Sequence, residues 1–488
     1  MSSIPDDIFF ASISEINQKL AKKEFSAVEL ARAFCDRLDT IGPRYNALAL
    51  SLRKDAIRDA KDVEGDIKRE RFRGPLQGIP FGAKDLLAYA KHPTTWGAKP
   101  YADQVFDYTA TALKRILKHG GLLTGKLAMV ELAGGPSYRY ASASLTGPGL
   151  NPWDPTRWSG GSSSGSAIAV AAGLVSYALG SETSGSILTP SAFCGVTGLR
   201  PTYGLVSRNG AMALSWTLDK IGPICRSAED CGLVLERIAG GDDDDPSSAH
   251  KSFYYTPQFA NDFKDIRVGF APVDFNEGVD PAARPDYAKA LETIRSLGVQ
   301  ITEAKMPVFP YGAMISTIIS AEGSAVFEPL IKSGMVDQLA DQHQIAGLKA
   351  GLQIPANEYL KAMRIRALMQ EAFRDLLSTI DVLIAPTRFD PAPKITQPLD
   401  RPVSDRPASD RPVTDRPTPA APGLTALIPA GNLAGLPALT VPCGFADGMP
   451  MGLQLLGSRY SENTLLAIGK AFQDRTDWHK RRPPVAES

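Results

Sequence analysis

Two serines and one lysine in this sequence have the chemistry to act together without a histidine. Ser162 and Ser186 lie 24 residues apart, and Lys84 follows the apolar run Gly78–Ala83. A serine hydroxyl is a weak nucleophile near neutral pH and needs a base. A lysine can be that base only where burial lowers its pKa enough to leave the amine neutral. Nucleophilic catalysis is one interpretation; the other is that Lys84 caps a strand end and pairs with Asp85.

Both serines belong to a segment, residues 158–199, that is almost free of charge. Its only charged residue is Glu182, although 22% of the whole chain is charged. Such a segment is expected to be buried, because on the surface it would be adhesive. The segment is also rich in serine and threonine, and buried hydroxyls need hydrogen-bond partners. Since it continues into an apolar, helix-like stretch at 167–174, we predict a buried site and not a flexible linker.

The elements that must position these residues alternate between helix and strand. Periodicity and apolar runs predict helical structure in 11–62, a strand at 79–87, a helix at 109–118, a strand at 122–124, a strand at 267–271, a helix at 287–297, a helix at 357–379 and a strand at 382–385. Alternation of this kind indicates an α/β fold, not an all-β protein or a helical bundle.

One competing motif, Gly120–Lys126, fits the GxxxxGK phosphate loop. In that loop the next residue is a serine or threonine whose hydroxyl binds magnesium. Leu127 stands in that position here, and the run itself has the pattern of a strand and its turn. A nucleotide site is therefore disfavoured.

Another competing motif, Gly161–Gly165, fits the GxSxG nucleophile elbow of α/β-hydrolases, with Ser163 at its centre. That chemistry needs a histidine base further along the chain. The candidates are His250 beside an acidic loop, His343 in a polar stretch and His479 in a basic tail. None lies in an apolar, glycine-bounded loop, so an esterase of this type is the weaker hypothesis.

Composition excludes several classes of protein. The chain has 53 basic and 53 acidic residues, so no overall basic field would attract nucleic acid or an anionic membrane. Its five cysteines are scattered without a CxxC pair, which argues against a disulfide framework or a zinc site. No apolar run reaches the 18 residues or more of a membrane span, and the N-terminus lacks a signal-peptide pattern. We expect a soluble, cytoplasmic protein, a monomer or homodimer.

A proline-rich repeat interrupts the second half of the chain. Residues 400–419 read DRPVS-DRPAS-DRPVT-DRPTP. Prolines at this spacing forbid a helix and remove backbone donors, so the repeat predicts a surface insertion at about 391–422.

Longer stretches of the sequence resemble the amidase signature family of serine hydrolases. The resemblance rests on Gly160–Ile187, preceded by Gly78–Asp85, and continues through Pro190–Gly232, the stretch near Asn432 and the ending TDWHKRRP. It implies a single large α/β/α fold in which helices cover both faces of a mixed central β-sheet. We assign residues 1–70 to an N-terminal helical segment packed on the core, and residues 71–488 to the signature domain.

The family resemblance also implies roles for the serines and the lysine. Ser186 would be the nucleophile, Ser162 the relay that passes its proton on, and Lys84 the neutral base. Gly161-Ser162 would be a cis peptide bond. The backbone N–H groups of Thr183, Ser184, Gly185 and Ser186 would form the oxyanion hole. Neither a metal nor an organic cofactor is implied.

Two departures from the common family pattern D-T-G-G-S-I-R bear on the substrate. Ser184 replaces a glycine, so the oxyanion turn must accept a side chain, and Leu188 replaces an arginine. The loss of that arginine predicts a neutral, largely apolar acyl pocket. Candidate pocket residues are Leu188, Met129 and Gly135.

The leading functional hypothesis is hydrolysis of carboxylic amides, with aryl amides, carbamates (urethanes) or esters as further substrates, by a Ser-Ser-Lys triad through an acyl-enzyme. The alternative is the amidase subunit of a tRNA-dependent (Asp/Glu) amidotransferase, which shares the signature and works within a complex. Two features argue against this alternative. The usual K-T-N-x-D-E-F stretch of that subunit reads differently here, at Lys126–Leu132, and Leu188 replaces the arginine. A non-catalytic binding protein is disfavoured, because all three triad residues are present.

Overall fold

The computed structural model describes residues 4–256, 262–399 and 423–485, and they form an α/β fold around one mixed sheet. The strands are β1 (Leu48–Ser51), β2 (Pro80–Lys84), β3 (Leu122–Leu127), β4 (Tyr177–Glu182), β5 (Thr197–Arg200), β6 (Lys220–Cys225), β7 (Arg267–Phe270), β8 (Gln300–Glu303), β9 (Val382–Pro386), β10 (Ala438–Ala446) and β11 (Met449–Gly457). Their order in the 11-stranded sheet is β1-β3-β2-β4-β6-β5-β10-β11-β9-β7-β8.

Helices flank this sheet in the α/β/α arrangement that the sequence predicted. The helices are α1 (Ile13–Ala21), α2 (Ala27–Ile41), α3 (Arg53–Lys68), α4 (Thr111–Lys118), α5 (Ser164–Ala171), α6 (Leu188–Cys194), α7 (Ala228–Ile238), α8 (Arg284–Ser296), α9 (Tyr311–Val326), α10 (Glu328–Lys332), α11 (Gln342–Gly351), α12 (Ala356–Thr379), α13 (Leu427–Ala434) and α14 (Glu462–Asp474). Each of the strands and helices predicted beyond residue 70 is confirmed, with ends shifted by a few residues.

The N-terminal region differs from the prediction in one respect. Besides the helices α1 to α3, it contributes strand β1, which pairs antiparallel with β3 at the sheet edge. This strand has only four residues, all half-buried or exposed, so it lacks the alternation that would have revealed it. The helices themselves pack into the main core through residues such as Ile16 and Phe34. The boundary between 1–70 and 71–488 remains a prediction.

Strand pairing determines where the predicted functional residues meet. Strand β2 runs parallel to β4, with Ala83 opposite Leu179. The carboxyl ends of parallel strands reach the same edge of a sheet, so Lys84 at the end of β2 lies beside Ser181 and Glu182 at the end of β4. Strand β6 runs antiparallel to β4 and completes the other side of this edge.

The charge-poor segment is buried, as predicted. Every residue from 158 to 199 is buried except Ser184, which is half-buried. The repeat at 400–419 lies outside the described residues, as does most of the predicted insertion. In the described ranges, no helix combines the length and the apolar character needed to cross a bilayer.

Helix α5 packs so closely on its neighbours that its second residue has room only for a hydrogen. A Cβ on Gly165 would overlap the carbonyl oxygen of Ala47 and lie 2.5 Å from the backbone nitrogen of Ala128. We expect Gly165→Ala to lower the free energy of unfolding by about 1–3 kcal/mol, because backbone atoms cannot rotate away. Denaturant titration measures this.

Gly347 in α11 is the matched control for Gly165. A Cβ there would make an ordinary contact, 3.5 Å from Pro136. Alanine is the better helix former by about 0.5–1 kcal/mol, so Gly347→Ala should leave stability equal or higher. Equal effects of the two substitutions would contradict the packing argument.

Candidate active site

Lys84 is a buried amine held by two hydroxyls. Its side chain is completely inaccessible to solvent, and Nζ lies 2.7 Å from Ser162 Oγ and 2.9 Å from Ser181 Oγ. Burial lowers the pKa of Lys84 from 10.5 to about 7, although the more distant carboxylates of Asp219 and Glu182 act in the opposite direction. A large fraction of this lysine is therefore neutral near neutral pH and can accept a proton.

Ser162 lies between that lysine and the start of helix α5. The Gly161-Ser162 peptide bond is cis, as the family resemblance implied. The carbonyl oxygen of Ser162 accepts a hydrogen bond from the Val130 N–H at 3.1 Å, which fixes the backbone beside the end of strand β3. The Ser162 side chain is 1% exposed and directed at Lys84 Nζ.

Ser186 lies in a turn, residues 183–187, that joins β4 to α6. Gly185 has a φ of +86°, the only left-handed residue of this turn, which explains why a glycine is needed there and why Ser184 tolerates a side chain. In the described chain, the backbone N–H groups of Thr183, Ser184, Gly185 and Ser186 donate to no protein acceptor, and the Ser186 hydroxyl has no hydrogen-bond partner. These groups are thus available to a substrate.

The carboxylate of Glu182 fixes the end of this turn. Its Oε2 accepts the backbone N–H groups of Ile187 and Leu188 at 2.8 and 3.0 Å. Its Oε1 accepts Arg200 at 2.9 Å and Asn432 at 2.8 Å. Burial alone would raise the pKa of Glu182, but Arg200, Asn432 and the Leu188 N–H together hold it below 4.5. The charge that stood out in the sequence is therefore a structural carboxylate beneath the turn.

Asp219 holds the other end of the turn. Its Oδ1 accepts the Thr183 hydroxyl at 2.6 Å, and its Oδ2 accepts the backbone N–H groups of Leu214 and Ser215. Sequence reasoning missed Asp219 and also Ser181, the second hydroxyl on Lys84. Ser181 had a weak signal as one of many hydroxyls in the charge-poor segment, whereas Asp219 had none, because its role depends on the pairing of β6 with β4.

The elbow interpretation of Ser163 does not fit the geometry. Its Oγ donates to the carbonyl oxygen of Ser181 at 3.1 Å and accepts the Ser181 N–H at 3.2 Å. The hydroxyl is thus engaged by backbone. None of the chain's five histidines, all of which are described, forms a hydrogen bond with it.

The phosphate-loop pattern is likewise a structural feature. Residues 122–127 form strand β3, and Lys126 Nζ lies 2.7 Å from Asp85 Oδ1 and 2.9 Å from Thr94 Oγ1. Asp85 therefore pairs with Lys126, and the alternative in which it pairs with Lys84 is wrong. Among the residues the structure describes, no cluster of histidine, cysteine and carboxylate side chains could hold a metal ion.

Comparison with known proteins agrees with this architecture. The family model Amidase matches residues 29–466. The chain belongs to the amidase signature family. A glutamyl-tRNA(Gln) amidotransferase subunit of Carboxydothermus hydrogenoformans is 34% identical over 503 residues, covering 98% of this chain and all of the relative.

Solved structures of the family superpose over nearly the whole chain. The native peptide amidase of Stenotrophomonas maltophilia has a TM-score of 0.82 and 29% identity, covering 98% of this chain and 99% of that one. The corresponding glutamyl-tRNA(Gln) amidotransferase subunit of Thermotoga maritima has a TM-score of 0.77 and 25% identity, covering all of both chains. The family thus includes similar proteins of both kinds considered from the sequence.

Two cavities flank the turn that carries Ser186. One, of about 190 Å³, is bordered by Ser181 and Thr183. The other, of about 530 Å³, is bordered by Ser184 and Gly185. Ser186 itself is not among the residues that line either cavity.

None of the three pocket candidates is a lining residue of these two cavities. Leu188 and Met129 are completely buried in the main core, and neither lines either cavity. Gly135 has a φ of +49° and is packed against Gln344. Leu188 is the first residue of helix α6, and the charged residues that line the cavity beside Ser184 are Arg388 and Asp390. A substrate contact for these three residues remains a prediction.

The support under the turn can be tested through Glu182. Glu182→Gln leaves Arg200 buried without its counter-charge, so we expect a loss of about 3–5 kcal/mol in the free energy of unfolding at pH 7. Because the pKa of Glu182 is lowered in the folded state, its stabilisation is present above pH 4.5 and declines as the pH falls further. Urea titrations should therefore show the two proteins converging below that pH.

Two controls separate this effect from a general sensitivity to charge. Glu328→Gln removes an exposed partner of Lys332 and should cost less than about 1 kcal/mol. Adding Arg200→Met to Glu182→Gln should restore part of the stability, because the unpaired cation is removed. A double variant less stable than Glu182→Gln alone would contradict the ion-pair explanation.

Proposed function

We propose that this protein cleaves carboxylic amides through an acyl-enzyme on Ser186. The observation that carries this proposal is the contact between the buried Lys84 amine and Ser162 Oγ, at 2.7 Å. The Lys84 amine is a base of suitable pKa that is hydrogen-bonded to a hydroxyl. The turn that follows β4 carries a second serine, Ser186, whose hydroxyl has no hydrogen-bond partner among the described residues. Family membership supports the same chemistry.

In the proposed reaction, Ser186 Oγ attacks the carbonyl carbon of the amide. Its proton passes to Ser162, and the Ser162 proton passes to Lys84, which becomes an ammonium. The tetrahedral intermediate collapses when the C–N bond breaks and the proton returns through Ser162 to the leaving nitrogen. Ammonia or an amine departs, and an acyl ester remains on Ser186. A second attack, by water in a hydrolase, releases the carboxylic acid and restores the serine.

The free N–H groups of the turn would stabilise the negative charge of that intermediate. Residues Thr183 to Ser186 present four donors that have no protein acceptor among the described residues. Loss of one such donor typically costs about 3–4 kcal/mol of transition-state stabilisation. Glu182 and Asp219, which bind either end of the turn, would hold these donors in place before substrate arrives.

For the physiological role, the comparisons support the amidotransferase subunit better than the stand-alone hydrolase that the sequence analysis placed first. The sequence relative from Carboxydothermus hydrogenoformans aligns over its whole length. In this role the amide donor would be glutamine, and released ammonia would reach a tRNA-bound acyl group in partner subunits. The higher TM-score with peptide amidase favours the hydrolase as the second candidate.

The lysine base makes a prediction about pH. Lys84 must be neutral to accept a proton, so kcat/KM should rise by about tenfold per unit below pH 7 and level off above it, given the pKa of about 7. Lys84→Arg, which stays charged, should lose about 10²–10⁴-fold in activity. A profile flat from pH 5 to 9 would contradict the assignment of Lys84 as the base.

Covalent labelling identifies the nucleophile. A serine-directed phosphonate should label Ser186, whereas an adduct on Ser163 would favour the nucleophile-elbow hypothesis instead.

A substrate panel distinguishes the two physiological roles. The isolated chain is assayed with glutamine, neutral aryl amides and carbamates, each with and without the remaining subunits of an amidotransferase and its aminoacyl-tRNA. Turnover of glutamine that depends on added subunits is expected for the transferase. Equal turnover of neutral amides with and without subunits would favour the hydrolase, and Ser186→Ala is the control for contaminating activity.

A further inference from the structure

The larger cavity beside the nucleophile turn has an aromatic wall. Trp158 and Phe193 both line it and meet edge to face, with ring centroids 6.4 Å apart, and Phe389 lines it from another segment. Its volume of about 530 Å³ lies within the range of small-molecule sites. The cavity can therefore enclose a ring-sized apolar group next to Ser184 and Gly185.

Arg388 brings a cation to this cavity, where Asp390 and Tyr138 act on it electrostatically but form no direct contact with it among the described residues. Its side chain lines the cavity and is exposed, and its guanidinium carbon lies 5.9 Å from the centroid of the Phe193 ring. Within the described part of the chain, that guanidinium forms neither a hydrogen bond nor an ion pair. Its five N–H donors are thus left for a ligand.

The backbone that carries Arg388 is firmly positioned. Strand β9 ends at Pro386, and the Thr387 N–H donates to Gly452 at 2.8 Å. The carbonyl oxygen of Arg388 accepts the Tyr287 hydroxyl at 3.3 Å. Further along, the Trp158 N–H donates to the carbonyl oxygen of Pro393 at 2.8 Å, which joins this segment to the aromatic wall. Such support places a binding group reproducibly.

Asp390 also lines this cavity, but it does not cancel the cation. No ion pair within 4 Å joins it to Arg388 among the described residues. Burial, with a smaller contribution from Asp280, raises the pKa of Asp390, although the charge of Arg388 acts in the opposite direction. Asp390 is half-buried whereas Arg388 is exposed, so the guanidinium is the more accessible of the two charges. An arginine, in contrast, remains charged at every physiological pH. The charge that the cavity presents most openly to a ligand is therefore the cation of Arg388.

We propose that Arg388 determines specificity by binding the carboxylate of aromatic ligands and amide substrates in this cavity. The guanidinium matches a carboxylate in geometry, and the ring of the ligand packs on Trp158 and Phe193. As a substrate preference this rests on the proposed amide cleavage; as a binding preference it does not. It is an alternative to the neutral pocket predicted from Leu188, a residue that lies in the core.

Binding is tested first, because it needs no turnover. Titration calorimetry compares 3-phenylpropanoate with 3-phenylpropan-1-ol, which differ only in the carboxylate. We expect the carboxylate to bind wild type about tenfold more tightly or better, and Arg388→Leu to reduce that ratio to within about threefold of one. Arg388→Lys should keep part of the preference, and added salt should weaken it, because the cation is exposed. Equal binding of the two probes to wild type would overturn the proposal.

The catalytic counterpart uses two matched pairs of amides. Succinanilic acid and butyranilide differ by a carboxylate on the acyl side, whereas 4-acetamidobenzoate and acetanilide differ by one on the amine side. The ratio of kcat/KM within at least one pair should exceed about tenfold and collapse in Arg388→Leu. Arg364→Leu, an exposed arginine of α12 outside the cavity, should leave both ratios unchanged.

The outcomes separate this inference from the proposed function. Turnover of all four amides with no preference for the carboxylates would leave amide cleavage standing and overturn the role of Arg388. Selective binding of 3-phenylpropanoate without turnover of any amide, glutamine included, would support the role of Arg388 in binding and contradict amide cleavage. A carboxylate preference that survives in Arg388→Leu would also overturn the inference.

Discussion

The candidate active site of this protein depends on the burial of one amine. Lys84 is excluded from solvent at the end of β2, and desolvation lowers its pKa from 10.5 to about 7. A lysine exposed at the same position would be an ammonium and could not accept a proton. Ser162 and Ser181 hydrogen-bond the amine, while Asp85 is paired with Lys126, and no carboxylate of the described residues forms an ion pair with Lys84. A carboxylate in direct contact with Lys84 would raise its pKa again.

A buried ion pair nevertheless lies close to the site, and its carboxylate binds the turn and not Lys84. Glu182 and Arg200 are both fully buried and bonded to each other, and Glu182 also binds the backbone after Ser186. Because this carboxylate is used by a guanidinium, an amide and two N–H groups, it acts on the shape of the turn more than on Lys84. Breaking a buried pair is costly, so the pair holds the predicted oxyanion donors in place without an ion pair to the proposed base.

The parts of this arrangement that the sequence predicts are those with a local signal. An apolar run before Lys84 indicates a strand, and the absence of charge between 158 and 199 indicates burial. The partners that remained hidden are distant in sequence. Asp219 reaches Thr183 only through the antiparallel pairing of β6 with β4. Asp85, which follows β2, meets Lys126 because β2 pairs with β3 in the sheet. No periodicity within one segment reports which strands become neighbours.

The residues proposed to select the substrate also could not be identified from local sequence, because chain segments far apart in sequence form the cavity. A change at position 188 suggested an uncharged pocket, since residues adjacent to a nucleophile in sequence are the natural ones to inspect. Helix α6 turns Leu188 into the core, however, and the cavity beside Ser184 and Gly185 is completed by the segment after β9, about 200 residues later in the chain. Arg388 therefore brings a cation to a site whose local sequence contains none. The charge of the cavity follows from chain topology, and a change of specificity can arise there without altering any residue of the signature segment.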